Sequence, residues 1–218
     1  MQNFIFDFDG TLADSQQCSV VATRKTFEEF GLSIPSEEVI EYYMGIPIEK
    51  SFKEMSERIL TDEEFNQLLQ TFRKNYKEVE NDLLNVFPFI PEVLNTLRQT
   101  KKLLFVVSSK KSDVLLRNLQ TLSIDHYFHE IIGSDKVTNY KPHPEGILKI
   151  VEDYQLNKET TIMIGDATFD LQMAKSAGVN SCGVTWGSHP EEKLAEENPT
   201  FLIQNVQDLL CLHEKINK

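Results

Sequence analysis

From about Val86 onward the chain alternates short apolar runs with amphipathic stretches, and this alternation restricts the fold more than any other feature. Leu103-Leu-Phe-Val-Val107 and Thr161-Ile-Met-Ile164 place apolar side chains on consecutive positions, which predicts strands covered on both faces. Ile131-Ile-Gly133, Ser181 to Thr185 and Thr200 to Ile203 read as further short strands. Between them, Pro91 opens a helix and Ser112 caps one carrying Leu115, Leu119 and Leu122. Pro144 opens another with Ile147, Ile150, Val151 and Tyr154 on its apolar side, and a helix from about Asp170 runs to a C′ glycine, Gly178. A last helix is expected near Val206 to His213. Buried strands alternating with amphipathic helices predict an α/β fold, a parallel sheet with helices on both faces.

The start of the chain belongs to the same sheet. Residues 3–8 read as a short buried strand stopped by Gly10. From about residue 15 to 85 the signals are helical. Ser36 with Glu37 and Glu38 predicts an N-cap and an acidic first turn, with Gly45 as a stop. Thr61 and Glu64 form a capping box, after which Phe65, Leu68, Leu69, Phe72 and Tyr76 fall on one helical face. The expected organisation is a discontinuous core, residues 1–14 plus 86–218, with a helical cap at 15–85 inserted after the first strand.

Charge and cysteine content narrow the function. The formal net charge is -12, which repels nucleic-acid backbones and anionic lipid, so neither is an expected partner. An anionic small substrate then needs local positive charge, from a few lysines and a bound cation. Cys18, Cys182 and Cys211 are an odd, scattered set with no disulfide or zinc spacing. The first residues lack a basic signal region, and no apolar run is long enough to cross a bilayer. A cytoplasmic protein is the expectation.

The polar residues that follow the strands carry the chemistry. Asp7 and Asp9 close the first, Ser108 and Ser109 follow Val107, and Asp166 follows Gly165 with Asp170 four positions on. Ligands of open parallel sheets bind at the carboxyl ends of strands, so distant segments converge on one rim. In extended chain, Asp7 and Asp9 face the same side while Phe8 packs inward. Such a pair suits either a solvated acidic turn or a division of labour in which one carboxylate attacks and the other moves protons. A calcium loop is excluded, because Leu12 and Cys18 stand where that loop needs glycine and glutamate. Asp166 and Asp170 suit helix N-capping or a magnesium site, and the matching strand-end acids favour the metal. Ser108 offers a hydroxyl and a backbone N–H to a phosphoryl oxygen, or else caps the next helix. Lys141, in the loop before a helix, adds a cation to the rim or is simply solvated.

With these pieces in order, the chain resembles the haloacid dehalogenase superfamily of phosphotransferases. The matching segments are Phe6-Asp-Phe-Asp-Gly-Thr-Leu-Ala-Asp-Ser15, Val106-Val-Ser-Ser-Lys110, Lys141-Pro-His-Pro-Glu145 and Ile164-Gly-Asp-Ala-Thr-Phe-Asp170. The resemblance implies a Rossmann-like core and a cap that closes over substrate. It implies Asp7 as the nucleophile forming an aspartyl-phosphate, and Asp9 as the acid that protonates the leaving group and then activates water. Ser108 and Lys141 hold the phosphoryl group, with Gly10 and Ser109 as further phosphate contacts. Asp7, the backbone carbonyl of Asp9, Asp166 and Asp170 bind Mg2+. Lys141-Pro-His-Pro-Glu145 and Gly183-Val-Thr-Trp-Gly187 look most like the phosphoglycolate-phosphatase branch, which implies a phosphatase acting on small phosphorylated metabolites, as a monomer or homodimer. Ser109 stands where that branch commonly has asparagine. A pyrophosphatase or nucleotidase of the same branch, a β-phosphoglucomutase-like mutase, and an inactive phosphate-sensing regulator are the competing readings. The loop Tyr43-Met-Gly-Ile-Pro-Ile48 is where a mutase should differ.

Overall fold

The computed structural model describes residues 1–44 and 46–212, so the expectations at Gly45 and His213 lie outside the described residues. A parallel six-stranded sheet is made by β1 (Asn3–Phe6), β4 (Leu103–Val107), β5 (Glu130–Ile132), β6 (Thr161–Gly165), β7 (Asn180–Val184) and β8 (Phe201–Ile203). Its spatial order is β5-β4-β1-β6-β7-β8. The chain therefore grows outward from β1 on one side, returns, and grows outward on the other. The reversal falls between β1 and β6, paired from Asn3 with Thr161 to Phe6 with Ile164. In doubly wound sheets this crevice is where ligands bind.

Consecutive apolar residues in β1 serve two cores. Phe4 and Phe6 join one cluster with Leu94 and Leu97 of α5 (Ile90–Gln99) and with Leu115 and Leu119 of α6 (Ser112–Thr121). Ile5, between them, joins the other with Phe105, with Ile147 and Ile150 of α7 (Glu145–Asp153), and with Met173 and Ala177 of α8 (Thr168–Ala177). A strand with side chains alternating between two covered faces has no polar face to show. A short helix, α9 (Glu191–Glu196), precedes β8.

Among the described residues, four helices come between β1 and α5: α1 (Gln16–Glu29), α2 (Glu37–Tyr42), α3 (Ile48–Met55) and α4 (Asp62–Leu83). They form the inserted helical cap. The Ser36 hydroxyl accepts from Val39 N–H at 3.4 Å, and the Thr61–Glu64 capping box is reciprocal, as their spacing predicts. Phe52 and Phe72 pack edge to face at 4.9 Å, and Phe27 meets Phe52 at 5.4 Å. Where the chain passes between sheet and cap, β2 (Ala13–Asp14) pairs antiparallel with β3 (Asn85–Val86). No strand was expected there, because two residues are too few to show a period.

Two expectations need correction. Ser112 does not cap α6; Lys111 holds the N-cap position, and the Ser112 hydroxyl accepts from Gly133 N–H while its own N–H donates to Asp135. A carboxylate from a neighbouring loop thus does the capping, which local sequence does not reveal. The last helix is a 3₁₀ segment, Val206–Cys211.

Candidate active site

Asp7 is the first residue after β1. Its backbone N–H donates to the Ile164 carbonyl at 2.8 Å, so the hydrogen-bond ladder to β6 continues one residue past the strand and fixes where its carboxylate stands. Asp166 follows β6 directly, and Asp170 lies in the first turn of α8. Together Asp7, Asp166 and Asp170 offer carboxylate oxygens all within 4.8 Å of one another. All three are buried, at 2%, 2% and 1% exposure, so this is no solvated acidic turn.

Lys141 reaches into the cluster from the loop before α7. Its Nζ lies 2.6 Å from Asp7 Oδ1 and 2.7 Å from Asp170 Oδ1. Its side chain is 4% exposed, which excludes a solvated lysine. Asp166 is aimed by donors instead: Thr11 Oγ1 at 2.9 Å and the Ser188 N–H at 2.7 Å. Asp170 Oδ2 accepts from Ala167 N–H at 3.2 Å, so this residue both caps α8 and joins the cluster. Gly10 is required where it stands. Its φ is 75°, and a Cβ there would collide with the Asp166 carboxylate.

Burial dominates the electrostatics. It pushes Asp7 from an ordinary 3.8 up to about 7; Lys141 pulls against it, and the charges of Asp170 and Asp9 push with it. Burial and the Asp7 charge raise Asp166 to about 6, opposed by the Ser188 N–H and Thr11. Asp170 is raised by burial against the pull of Lys141. Lys141 itself is disfavoured by burial, but the Asp170 and Asp7 carboxylates outweigh this and keep it protonated. Three carboxylates against one ammonium leave negative charge in a dry site, so near neutrality the cluster takes up protons or a cation. Buried, convergent carboxylate oxygens are the donor set that a hard cation such as Mg2+ prefers. The residues present fit that ion.

Asp9 is turned elsewhere. Its Oδ1 accepts from Ser15 Oγ at 2.5 Å and from Lys110 Nζ at 2.6 Å, so its carboxylate is not one of the three that converge. Only its backbone remains for the metal role implied by resemblance. Lys110 also lies 4.7 Å above the Tyr76 ring of α4, which places the Asp9 partner against the cap. Ser108 is buried; its hydroxyl accepts from Lys110 N–H at 3.1 Å. Its own N–H donates to Ile132 at 2.9 Å, so only the hydroxyl of the two groups expected for phosphate is left to bind it. Ser109 lines the cavity described next.

Lys110, Ser15, Thr11 and Ser188 were not singled out in the sequence. The first three sit inside the quoted motifs and were within reach of a closer reading. Ser188 arrives from the loop after β7, one residue beyond the quoted Gly183-Val-Thr-Trp-Gly187 segment.

A cavity of about 480 Å³ separates the sheet from the cap. Asp7, Asp9, Ser108 and Ser109 line it from the core, and residues of α2, α3 and α4 line it from the cap. The two bodies are clamped beside it. Glu80 of α4, buried, accepts from Arg117 Nε at 2.7 Å, Arg117 Nη2 at 2.9 Å and Asn118 Nδ2 at 2.9 Å. Among the described residues no helix is long and apolar enough to cross a membrane.

Comparison with known proteins identifies the family and the fold. The family described as haloacid dehalogenase-like hydrolase matches residues 4–184. A Clostridium perfringens protein, provisionally named pyrophosphatase PpaX, is 32% identical over 213 residues, covering 98% of this chain and 97% of the relative. A solved Bacteroides fragilis structure, provisionally a haloacid dehalogenase-like hydrolase, superposes with a TM-score of 0.88 at 28% identity, covering 95% of this chain and 99% of that one. A Haemophilus somnus structure, provisionally a phosphoglycolate phosphatase, shares the fold with a TM-score of 0.90 at 24% identity, covering 97% of each chain. The four strand-end segments, the doubly wound sheet and the family match agree, and the chain belongs to the haloacid dehalogenase-like hydrolases.

Proposed function

We propose that the protein is a Mg2+-dependent cytoplasmic phosphohydrolase that works through an aspartyl-phosphate on Asp7. The observation that carries this reading is the buried cluster of Asp7, Asp166 and Asp170, with the Lys141 ammonium against two of its members. Asp7, Asp166, Asp170 and the backbone carbonyl of Asp9 would hold the ion, which when bound would supply positive charge to the carboxylates and to the transferring phosphoryl group.

The Asp7 carboxylate attacks phosphorus as the bond from phosphorus to the leaving oxygen breaks, and the leaving oxygen takes the proton of Asp9. Asp9, now ionised, accepts a proton from a water that attacks the aspartyl-phosphate. The bond from phosphorus to Asp7 breaks, Asp7 returns as carboxylate, and orthophosphate leaves. The sum is ester plus water giving alcohol plus orthophosphate. Lys141 and the Ser108 hydroxyl orient the phosphoryl oxygens throughout. Lys110 and Ser15 hold the Asp9 carboxylate in place. The cap closes over the substrate and excludes bulk water from the first transfer. Free, buried Cys18 and Cys182 fit a reducing compartment.

Phosphoglycolate is the first substrate to test, from the resemblance of the motifs. Pyrophosphate is the second, favoured by the name of the Clostridium perfringens relative. With Mg2+, purified protein is expected to release orthophosphate from a phosphate ester or anhydride and to lose that activity on chelation. Isomerised sugar phosphate without orthophosphate release would instead identify a mutase.

The raised carboxyl groups make a second, independent expectation. A carboxyl whose folded value exceeds its unfolded one stabilises the fold fully below the unfolded value, and that contribution is lost as pH rises through the folded value. For Asp7 the window runs from 3.8 up to about 7. Without metal, this contribution disappears towards neutral pH, where ionised carboxylates crowd the site. Mg2+ binds those ionised forms. The rise in Tm on adding Mg2+ is therefore expected to be larger at about pH 8 than at about pH 5. Parallel melts in Mg2+ and in chelator at both pH values check this.

A further inference from the structure

The cavity beside Asp7 is larger and more apolar than a compact phosphate compound needs. Its volume of about 480 Å³ falls in the range of about 300–1,000 Å³ that accommodates sizeable organic ligands. Ile40 of α2, Ile48 and Met55 of α3, Phe72 of α4 and Val114 of α6 are in its lining, and so are the basic side chains of Arg73, Lys74, Lys77, Lys110, Lys111 and Arg117. An inorganic anhydride or a two-carbon phosphoester can meet those cations, but it is too small to cover the apolar side chains and leaves them wet.

The space does not arise from a cap standing away from the sheet. On one side Glu80 is held by Arg117 and Asn118 at 2.7–2.9 Å. Elsewhere the ring of Tyr42, the last residue of α2, lies parallel to that of His189 in the core, with centroids 6.4 Å apart. The cap touches the core at both places and the cavity persists between them.

We infer that the leaving group is a ring-sized alcohol with an apolar face, so that the substrate is a bulky organic phosphomonoester rather than pyrophosphate or phosphoglycolate. This rests on the phosphohydrolase reading and names its substrate class. The phosphoryl group sits against Asp7, and the ring replaces water along Ile48, Met55 and Phe72. Binding energy from this remote part of the substrate is available to the chemical step.

The test measures kcat/KM for orthophosphate release by the purified protein with Mg2+. The probes are 2-phenylethyl phosphate, a nucleoside 5′-monophosphate, ethyl phosphate, phosphoglycolate and pyrophosphate. The four esters all release primary alcohols, which limits differences in leaving-group chemistry. At least one ring-bearing ester is expected to exceed ethyl phosphate and phosphoglycolate by about tenfold or more. The Met55→Asp variant is expected to reduce that ratio by about tenfold, and Met55→Leu to retain it. Ring-bearing esters no better than ethyl phosphate, phosphoglycolate or pyrophosphate would overturn the inference and leave the phosphohydrolase reading standing. Orthophosphate from none of the five would overturn both.

Discussion

Asp7→Asn is expected to lower turnover by on the order of ten-thousandfold or more while leaving the fold intact. The amide matches the carboxylate in shape but is a far weaker nucleophile towards phosphorus. The fold survives because the substitution relieves the site. Burial holds Asp7 up at about 7, so ionising it in the metal-free protein opposes folding at neutral pH, and the neutral amide removes that opposition. Lys141 keeps Asp170 as a partner at 2.7 Å. The metal-free Tm of the variant at about pH 8 should therefore equal or exceed that of the parent. The Tm gain from Mg2+ should shrink, because one ligand has become a weaker neutral oxygen. Calorimetry beside a turnover assay checks all three statements.

Lys141→Ala is expected to damage both catalysis and stability. Without the ammonium, Asp7 and Asp170 lose their shared partner inside a dry cluster. Breaking a buried ion pair by removing one member costs about 3–5 kcal/mol. For a chain of this length that corresponds to a metal-free Tm lower by on the order of 10 °C at neutral pH. The deficit should narrow on acidification, since protonation removes the uncompensated negative charge. Mg2+ should restore part of the stability by supplying positive charge to the same oxygens. It should not restore rate, because the phosphoryl oxygens still lack their cation; kcat/KM should fall by about a hundred- to a thousandfold. Melting curves with and without Mg2+, with kcat/KM from orthophosphate release, separate the two effects.

The parts of this protein that were legible in its sequence are those set by local physics. Leu103–Val107 and Thr161–Gly165 read as buried strands because unbroken apolar runs can be satisfied only with both faces covered. The Thr61–Glu64 box is legible because capping depends on a fixed three-residue spacing. Asp7, Asp166 and Lys141 were legible because the rim of a parallel sheet collects whatever follows its strands. What escaped depends on tertiary placement. The pairing of Asp9 with Lys110 joins residues 101 positions apart, and Glu80 meets Arg117 across the interface between cap and core. The capping of α6 by Asp135 fails as a local reading for the same reason: the carboxylate arrives from another loop and displaces the role assigned to Ser112. The β2–β3 pair is too short to show any period.

The central claim is that a carboxylate oxygen of Asp7 bonds to phosphorus during each turnover. Acid-quenching the enzyme within one turnover, digesting it and locating the phosphoryl group by mass spectrometry tests this most directly. The phosphoryl group is expected on the peptide containing Asp7, to be absent when Asp7→Asn is treated identically, and to disappear at the rate of orthophosphate release. A phosphoryl group on any other residue, or inversion of configuration at a chiral phosphorus in the product, would contradict the account.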